Sequence, residues 1–321
     1  MRRLAATAAL VAFATLAVSP PSLAQEAIRI VGVLALGNPD PARFIREFKA
    51  GMAELGHAEG QNVRYEIRSA EGNASRLRDL ARELTAIKVD VLLAYQTPAA
   101  SAAKAATQAL PIVLASVADP VASGLVQSLS HPGGNITGTS GATSELVVKN
   151  LELVKDVIPS VRRVAIIANE PDPFHKILIA QTQAAADQLK IEIKVVLAKA
   201  GDDFELHFRT IKSWGADAAL IQPSLPLREV AQAAARNKLP ALCPNENFIE
   251  AGGLMSYSSD QTSLHKQVAT MVDKVLKGRK PADLPVEMST KFRLTINAKV
   301  AAAIGLTISP LLLARADEVI E

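Results

Sequence analysis

The sequence contains a single cysteine, Cys243. One cysteine cannot form an internal disulfide, so disulfide-stapled scaffolds are excluded and the fold must depend on buried apolar cores. Cys243 directly follows a predicted buried strand, which favours a small apolar side chain in the core and leaves contact with a cleft as the alternative. Nucleophilic catalysis by this thiol is the least favoured interpretation.

Catalytic and metal-binding motifs are also missing. There is no H-E-x-x-H motif and no G-x-x-x-x-G-K-[ST] motif, and residues 138–141 (GTSG) lack the spacing of a nucleophile elbow. The histidines lie on different predicted elements without the spacing of metal ligands; they are His57, His131, His175, His207 and His265. We therefore expect no metal site, no cofactor and no enzymatic activity.

The N-terminal residues have the composition of a secretory leader. Residues 1–3 (MRR) are basic, and the apolar run 4–18 is shorter than the about 20 residues that a membrane-spanning helix needs. Residues 22–24 (SLA) suit a signal peptidase, so we expect a signal peptide over 1–24 that is cleaved near Ala24. The alternative, an uncleaved anchor, is disfavoured by the short run and by Pro20-Pro21.

No cysteine stands at the predicted cleavage site, where a lipid-anchored exported protein would need one. We therefore expect a freely diffusing protein, which is retained only behind an outer membrane, and this predicts a Gram-negative periplasm. Without Arg2 and Arg3, the 35 basic residues become 33 against 32 acidic residues, a net charge of +1. This balance indicates neither a nucleic-acid partner nor a membrane-surface partner.

Short β-branched runs alternate with amphipathic stretches along the first half of the expected mature chain. Runs of strand composition lie at 28–34, 63–67, 89–94 and 111–114. Between the first two runs, apolar residues at 44, 48, 52 and 55 share one helical face. Strands joined by helices in this order form a parallel sheet with right-handed crossovers.

The pattern restarts after the glycine-rich turn 131–135. Further strand-like runs lie at 164–168, 191–196, 218–221 and 291–296, and Asn297 and Ser309 are placed to cap the last two helices. About 300 residues are enough for two separate cores. The sequence therefore predicts an α/β fold of two doubly wound parallel-sheet lobes, between which the chain crosses more than once.

Polar residues follow many of the predicted strands. In open parallel sheets, ligands bind beyond the carboxyl ends of the strands, where helices begin. The candidates at these positions are Asn38, Asp40, Gln96, Thr97, Ser116 and Asp119 in the first half and Asn169, Glu170, Asp172, Ser224, Asn245 and Glu246 in the second. For Thr97, Asp119 and Ser224, capping of the following helix explains the residue equally well.

If these groups converge on one cleft, their chemistry indicates a class of ligand. Asp119 suits a ligand ammonium, and Thr97 with helix amides suits a ligand carboxylate, so we expect an amino-acid-like ligand. Aromatic residues make up only 4% of the sequence. Those near predicted strand ends could line an apolar part of the ligand; they are Tyr95, Phe174, Phe248 and Tyr257, of which Tyr257 is the predicted ligand-binding residue.

Several sequence blocks, in order, carry a resemblance to a known family. They are 48–62 (FKAGMAELGHAEGQN), 97–100 (TPAA), 119–121 (DPV), 131–138 (HPGGNITG), 250–257 (EAGGLMSY), 285–286 (PV), 290–292 (TKF) and 313–321 (LARADEVIE). Together these blocks span the expected mature chain. They resemble the ABC transporter substrate-binding protein family whose members are often described as tryptophan/tyrosine transport components.

This resemblance implies a type I periplasmic-binding-protein fold with a three-stranded hinge. Crossings between lobes are expected near 139–143, 251–257 and 284–288. The expected first lobe comprises 25–139 plus 256–284, and the second 140–255 plus 285–321.

The resemblance also implies a partner and the side of the site on which some residues lie. The partner is an ABC permease in the inner membrane, which recognises the closed form. By position, Thr97 and Asp119 correspond to ligand-side motif positions, and Asn169 and Ser224 to loops of the second lobe.

One segment departs from the family pattern. Where relatives often have YPFREF, residues 243–248 read CPNENF, so an aromatic residue is lost and Glu246 replaces a cation. Glu246 would disfavour a second carboxylate nearby and favour a cation or a hydroxyl, unless it faces solvent. This departure argues against an aromatic amino acid as the ligand.

The leading hypothesis is a monomeric binding protein that closes its lobes on an amino acid or related carboxylate and delivers it to an ABC importer. The alternative is a sensory subunit that uses the same clamp to report the ligand to a membrane receptor. Neighbouring genes for a permease and an ATPase would favour transport, and a kinase or chemoreceptor gene would favour sensing. An enzyme is the third interpretation, which turnover of a bound ligand would support.

Overall fold

The computed structural model describes residues 28–37 and 40–321, so the predicted leader lies outside the described residues. Its strands are β1 (Arg29–Ala35), β2 (Val63–Ser69), β3 (Val91–Tyr95), β4 (Ile112–Val117), β5 (Ile136–Ser140), β6 (Arg163–Asn169), β7 (Glu192–Ala198), β8 (Ala218–Ile221), β9 (Ala241–Leu242), β10 (Met255–Ser259), β11 (Glu287–Met288), β12 (Phe292–Asn297) and β13 (Glu318–Ile320). Its helices are α1 (Ala42–Glu54), α2 (Leu77–Ala86), α3 (Gln96–Ala106), α4 (Thr143–Val157), α5 (His175–Leu189), α6 (Phe204–Ser213), α7 (Leu227–Arg236), α8 (Asn247–Glu250), α9 (Gln261–Leu276), α10 (Ala298–Ile304) and α11 (Pro310–Arg315).

Two sheets divide the described part of the chain. The first has six strands in the order β11-β5-β4-β3-β1-β2, all parallel. The second has seven strands in the order β13-β12-β10-β9-β8-β6-β7 and is parallel except where β10 meets β12. The predicted α/β fold with two mostly parallel sheets is confirmed.

Helices cover both faces of the first sheet, as a doubly wound fold requires. On one face, Phe44 and Phe48 of α1 pack with Val268 and Val272 of α9. On the other face, α2 and α3 supply a second apolar cluster that includes Leu84. We call this sheet with α1, α2, α3 and α9 the first lobe.

The second sheet is covered in the same way. Residues of α4, α5, α10 and α11, among them Leu151 and Leu312, pack on one face. Residues of α6 and α7, among them Phe208 and Val230, pack on the other. We call this sheet with its helices the second lobe.

Within the described residues, the chain passes from one lobe to the other at three points. They follow β5, β10 and β11, at 141–142, 260 and 289–291. The predicted lobe limits at 255/256 and 284/285 lie a few residues before these points. The limits differ because β10 pairs with β12 of the second sheet as far as its last residue, and β11 pairs with β5 of the first sheet.

The structure contains the helix caps that the sequence predicts at Asn297 and Ser309. Asn297 accepts a hydrogen bond from the Val300 amide and Ser309 from the Leu312 amide, as predicted for helix caps. Helix α3 begins at Gln96, two residues before Pro98. Across residues 28–37 and 40–321, no helix combines the length and apolar character needed to cross a bilayer.

Candidate functional site

A pocket lies where the carboxyl ends of the two sheets approach each other. Its lining residues surround about 510 Å³ of space, which includes space that is open to solvent. Residues that follow strands of both lobes line it; they are Gln96, Thr97, Ser116, Ala118, Gly141, Thr143, Asp172, Phe174, Gln222, Pro223, Ser224, Pro244, Asn245, Ser259 and Gln261.

The first-lobe wall of the pocket begins where β3 turns directly into α3. Gln96, the first residue of α3, has a φ of +68°, a left-handed conformation that costs energy for any residue with a side chain. Its side-chain oxygen is buried and has no hydrogen-bond partner among the described residues. Beside it, the Thr97 hydroxyl accepts a hydrogen bond of 3.3 Å from the Ala118 amide and so ties α3 to the segment after β4.

At the end of β4, Ser116 also combines a left-handed backbone with a buried polar atom that has no partner. Its φ is +53°, and its hydroxyl oxygen is buried with no partner in the described part of the chain. The pairing of β4 with β5 loses its regular register between Leu114 and Val117, which allows this residue to leave the strand geometry.

The non-glycine residues with a left-handed backbone conformation fall into two groups. Glu71, Lys88, Lys190 and Lys238 are exposed at turns and helix ends, where such geometry is common. Gln96, Ser116 and Ala142 instead lie at or beside the pocket. Strained backbone that persists in a buried wall, together with unsatisfied polar atoms, is characteristic of functional sites.

The second-lobe wall is a hydrogen-bonded network around Asp172. One carboxylate oxygen, Oδ2, accepts hydrogen bonds from Gln222 Nε2 at 2.8 Å and from the Ser224 hydroxyl at 2.6 Å. The other, Oδ1, accepts a bond of 2.9 Å from the Phe174 amide. Asn169 completes the network by donating from Nδ2 to Ser224 and from its amide to Gln222 Oε1.

Asp172 is the one charged side chain among the described residues that line the pocket. Burial raises the pKa of its carboxyl, and the hydrogen bonds from Ser224, Phe174 and Gln222 oppose this shift without cancelling it. An ionised carboxylate can accept about four hydrogen bonds, and three are made here. Oδ1 therefore retains capacity for one more donor.

Several helices begin at the pocket. Gln96 and Thr97 start α3, Thr143 starts α4 and Gln261 starts α9, so their first amides, which have no partners within the helix, lie around the cavity. Such helix ends carry partial positive charge. The described lining thus offers positive potential without any basic side chain.

The segments that cross between lobes form another part of the wall. Ser259, at the end of β10, donates a hydrogen bond of 2.7 Å to the Gly141 carbonyl, which links two of the three crossings. Gln261 donates to the Ser259 carbonyl at 3.1 Å. A ligand here would therefore contact both lobes and the hinge between them.

Comparison with known proteins identifies the family of this chain. The sequence profile of the family described as "ABC transporter substrate binding protein" matches residues 35–320. The chain belongs to this family.

Individual relatives extend the match. A tyrosine-binding protein of Clostridioides difficile (strain R20291) is 27% identical over 281 residues, which are 84% of this chain and 78% of the relative. Among solved structures, an ABC domain of Streptococcus pneumonia in complex with L-Trp superposes with a TM-score of 0.84 at 27% identity, and a conserved domain protein of Vibrio cholerae O1 biovar eltor with 0.85 at 26%. Each alignment covers 92% of this chain and 100% of the other. These matches confirm the predicted family and its two-lobed type I fold.

Four of the predicted ligand-binding residues of this substrate-binding protein line the pocket: Gln96, Thr97, Ser116 and Ser224. Asn169 lies directly behind, buried against Ser224. Asp172 and Asn245, which follow β6 and β9, also line it. Asn38 is outside the described residues.

Asp119 does not line this pocket. Its Oδ1 accepts hydrogen bonds from the Val121 and Ala122 amides, and its Oδ2 accepts one of 2.7 Å from the Ser144 hydroxyl of the second lobe. The Asp119 carboxylate therefore binds the turn that follows it and a residue of the second lobe, and it lies outside the pocket lining.

Glu246 also lies apart from the pocket lining. It is buried, and its Oε2 accepts a hydrogen bond of 3.3 Å from Arg43 of α1. Burial raises the pKa of the Glu246 carboxyl, and the charges of Arg43 and Arg293 oppose the shift. The replacement of a cation by Glu246 thus places a carboxylate opposite an arginine of the other lobe.

The four candidate aromatic residues have different surroundings. Phe174 lines the pocket. Tyr95 stacks on Phe44 in the first-lobe core, with ring centroids 4.3 Å apart, and Phe248 is buried in the second-lobe core. Tyr257 packs in the second-lobe core near Phe292, because it alternates along β10 with the residues that face the other side.

Cys243 is fully buried in a second-lobe core cluster, and burial raises the pKa of its thiol. A thiol that stays protonated is a poor nucleophile, so Cys243 acts as a small apolar core residue. Within the described ranges, no group of three histidine, cysteine or acidic side chains is close enough to hold a metal ion.

The pocket-lining residues that the sequence did not predict lie mostly where the chain crosses between lobes. Thr143, Ser259 and Gln261 line the pocket, and each stands next to a point where the chain changes lobe. Gln222 was also missed, although it directly follows β8 and meets the strand-end rule that selected Ser224.

Proposed function

We propose that this protein is the extracytoplasmic solute-binding component of an ABC importer and binds an amino acid or related carboxylate between its lobes. The observation that carries the proposal is the pairing of strain with unmet hydrogen bonds at Gln96 and Ser116. Each keeps a left-handed backbone and a buried polar atom without a partner, and both face one pocket. A ligand that supplied these partners would offset both costs.

Recognition of the two ends of an amino acid would use different walls. The carboxylate would bind at the helix starts of α3, α4 and α9, whose partial positive charge favours an anion. The ammonium would bind at Asp172 Oδ1, which retains acceptor capacity. This assignment replaces Asp119, the residue that the sequence indicated for the ammonium.

The relatives support an amino acid as the ligand class. One is described as a tyrosine-binding protein and another was solved with L-Trp. In this chain the apolar lining comes from Phe174, Pro223 and Pro244. Glu246 is outside the lining, so its charge does not oppose an aromatic ligand as the sequence had indicated.

Binding and lobe closure would be coupled, because a ligand that contacts both walls stabilises the state in which they are together. The hinge crossings, linked by the Ser259–Gly141 hydrogen bond, would allow the lobes to separate for ligand entry and release. The leader over residues 1–24 would direct the protein to the periplasm, where an inner-membrane permease would receive the ligand from the closed form. Cell fractionation, with sequencing of the mature N-terminus, tests this location.

The decisive experiment is isothermal titration of residues 25–321, unfolded and refolded to remove any co-purified ligand. The titrants are L-amino acids, their amides and their decarboxylated amines. An L-amino acid is expected to bind, and loss of either charged end should weaken binding at least about tenfold, since each leaves buried partners unpaired. Absence of binding across the twenty amino acids and their keto-acid analogues would reject the proposal.

A further inference from the structure

Charged side chains of both lobes form a cluster between helix α1 of the first lobe and helix α8 of the second. It contains two arginines and four acidic residues, so carboxylates outnumber guanidinium groups. We call it the interlobe ion cluster, and none of its members is among the described lining residues of the ligand pocket. The members are Arg43, Glu47, Glu246, Glu250, Asp260 and Arg293.

The Glu246 side chain is deeply buried in this cluster. It is 9% exposed, against 60% for Glu250 on the same helix. Its Oε2 accepts a hydrogen bond of 3.3 Å from Arg43, whereas its Oε1 has no hydrogen-bond partner among the described residues. Arg293 Nη1 lies 3.8 Å from Oε1, beyond hydrogen-bond distance. A buried carboxylate with an unpaired oxygen is costly while it is ionised.

Several elements contribute to the electrostatic surroundings of Glu246. Helix α1 and strand β12 bring the positive charges of Arg43 and Arg293, and the start of α9 brings the negative charge of Asp260. Burial raises the pKa of the Glu246 carboxyl, the two arginines oppose the rise, and Asp260 adds to it. Strand β10 has no histidine, lysine, arginine or carboxylate. Other charged residues at this end of the packed helices are Arg46 and Glu47 of α1, Arg228 and Glu229 of α7, and Glu250 of α8.

Opening of the lobes would change these surroundings at Glu246. Separation of α8 from α1 would withdraw Arg43 and admit water to the Glu246 carboxylate, while Arg293 of the same lobe would stay. Glu47 differs, because its partners are in its own lobe: Arg43 at 2.9 Å and His265 of α9 at 2.8 Å. Glu246 is therefore the group whose affinity for a proton follows the state of the lobes.

We propose that closure of the lobes on a ligand takes up a proton at Glu246, so that the ligand is held more tightly as the pH falls. The inference rests on the proposed function, because it needs lobes that open and close around a ligand. The proton comes from solvent and returns to it when the lobes open. In the closed form the neutral carboxyl would still accept the hydrogen bond from Arg43, and it would no longer bury an ionised oxygen without a partner.

The direction of the pH effect follows from the two states of Glu246. In the closed form, burial holds the pKa of its carboxyl above the ordinary value of 4.5, and in the open form water would return the pKa toward that value. As the pH falls through the window between the two values, the closed form binds a proton that the open form does not yet hold, so ligand affinity rises. Below the window both forms are protonated, and the affinity levels off.

Titration calorimetry of residues 25–321 tests this linkage. The probe is the L-amino acid that binds most tightly at neutral pH. Because Asp172 also titrates and lines the ligand pocket, the quantity of interest is the affinity of the wild type relative to Glu246→Gln, which cannot take up the proton. This ratio should rise about threefold or more between about pH 7.5 and about pH 5. A constant or falling ratio would overturn the proposal.

The variants also distinguish proton uptake from a simple ion pair. Glu246→Gln imitates the protonated carboxyl, so at about pH 7.5 it should bind at least as tightly as the wild type, with far-UV circular dichroism as the check on folding. Weaker binding by the folded variant would show that the charge itself holds the lobes together, and the proposal would fail. Glu250→Gln is the matched control, because Glu250 pairs with the same arginine at an exposed position; it should keep the pH dependence of the wild type.

A measurement without ligand separates this proposal from the proposed function. If no amino acid binds, the proposed function fails, and small-angle X-ray scattering of the unliganded protein decides the question of proton uptake. The wild type should then have a smaller radius of gyration at about pH 5 than at about pH 7.5, and Glu246→Gln should show no difference; equal radii for the wild type would overturn the proposal. If amino acids bind and the affinity ratio stays constant, proton uptake is wrong and the proposed function stands.

Discussion

The guanidinium of Arg43, on the first helix of the first lobe, lies 3.3 Å from the carboxylate of Glu246 in the second lobe. The same guanidinium lies 2.8 Å from Glu250, one turn further along the second-lobe helix, and 2.9 Å from Glu47 on its own helix. Two of these three pairs exist only when the lobes are together. Arg43 therefore contributes to the closed arrangement without lining the ligand pocket.

Replacing Arg43 tests this contribution. Arg43→Met keeps the apolar stem and leaves the buried Glu246 without its main partner. We expect ligand affinity to fall about tenfold, between the small effect of an exposed ion pair and the large effect of a fully buried one. Titration calorimetry measures the change, and Arg46→Met, at an exposed position of the same helix, is the control. Equal affinities of the two variants would contradict the role of Arg43.

Ser116 allows stability and binding to be separated. Ser116→Gly should relieve the left-handed backbone, so the free energy of unfolding of the unliganded protein should be unchanged or higher by up to about 1 kcal/mol. Ligand affinity should fall about tenfold, because the hydroxyl is lost. Lys190→Gly is the control, since Lys190 has a similar φ of +58° at the exposed end of α5; its affinity should not change. An unaltered affinity of Ser116→Gly would remove Ser116 from the site.

Asp172 predicts a pH dependence of stability. Burial raises the pKa of its carboxyl in the folded protein above the value of 3.8 expected when unfolded. As pH rises through the window between these two values, the unfolded chain releases a proton that the folded chain retains, so the free energy of unfolding falls. Above the raised pKa this loss is complete and constant.

Asp172→Asn isolates this effect, because the variant has no proton to release at that position. Urea unfolding at a series of pH values should show the wild type losing stability relative to the variant from about pH 4 upward, until the difference levels off. Parallel stability curves for the two proteins would show that the Asp172 pKa is not raised by folding.

Gly138 tests the packing of the first sheet. Its φ is +136°, and a Cβ there would overlap the backbone nitrogen and oxygen of Leu114 on the neighbouring strand. Gly138→Ala should therefore destabilise the protein by more than about 4 kcal/mol or prevent folding. Gly56→Ala is the matched control, because Gly56 also has a positive φ but no atom within 4 Å of the added Cβ; only about 1–2 kcal/mol is expected. Similar urea midpoints for the two variants would contradict this packing.

Much of the site followed from local sequence. Gln96, Thr97, Ser116 and Ser224 could be selected because each follows a recognisable strand, and parallel strands bring their carboxyl ends to one edge. Ser259 and Gln261 could not be selected, because β10 pairs with β12 in the second sheet while α9 packs on the first. No local pattern records which sheet a crossing strand joins.

The sequence also could not predict the directions in which the side chains point. Glu246 and Tyr257 occupy the expected segments, yet Glu246 reaches Arg43 across the lobes and Tyr257 lies in the core of the second lobe. Asp119 occupies the expected turn, but the neighbouring amides and Ser144 take up its oxygens. Each outcome depends on residues far away in the chain.

By itself, the sequence determined the order of strands and helices, the presence of two lobes and the family, because periodicity, caps and motif blocks are local properties. Only the tertiary structure decided which residues share the pocket and which carboxylate faces it. Those properties arise from pairing and packing between distant segments, where burial and the supply of hydrogen-bond partners are set by the whole fold.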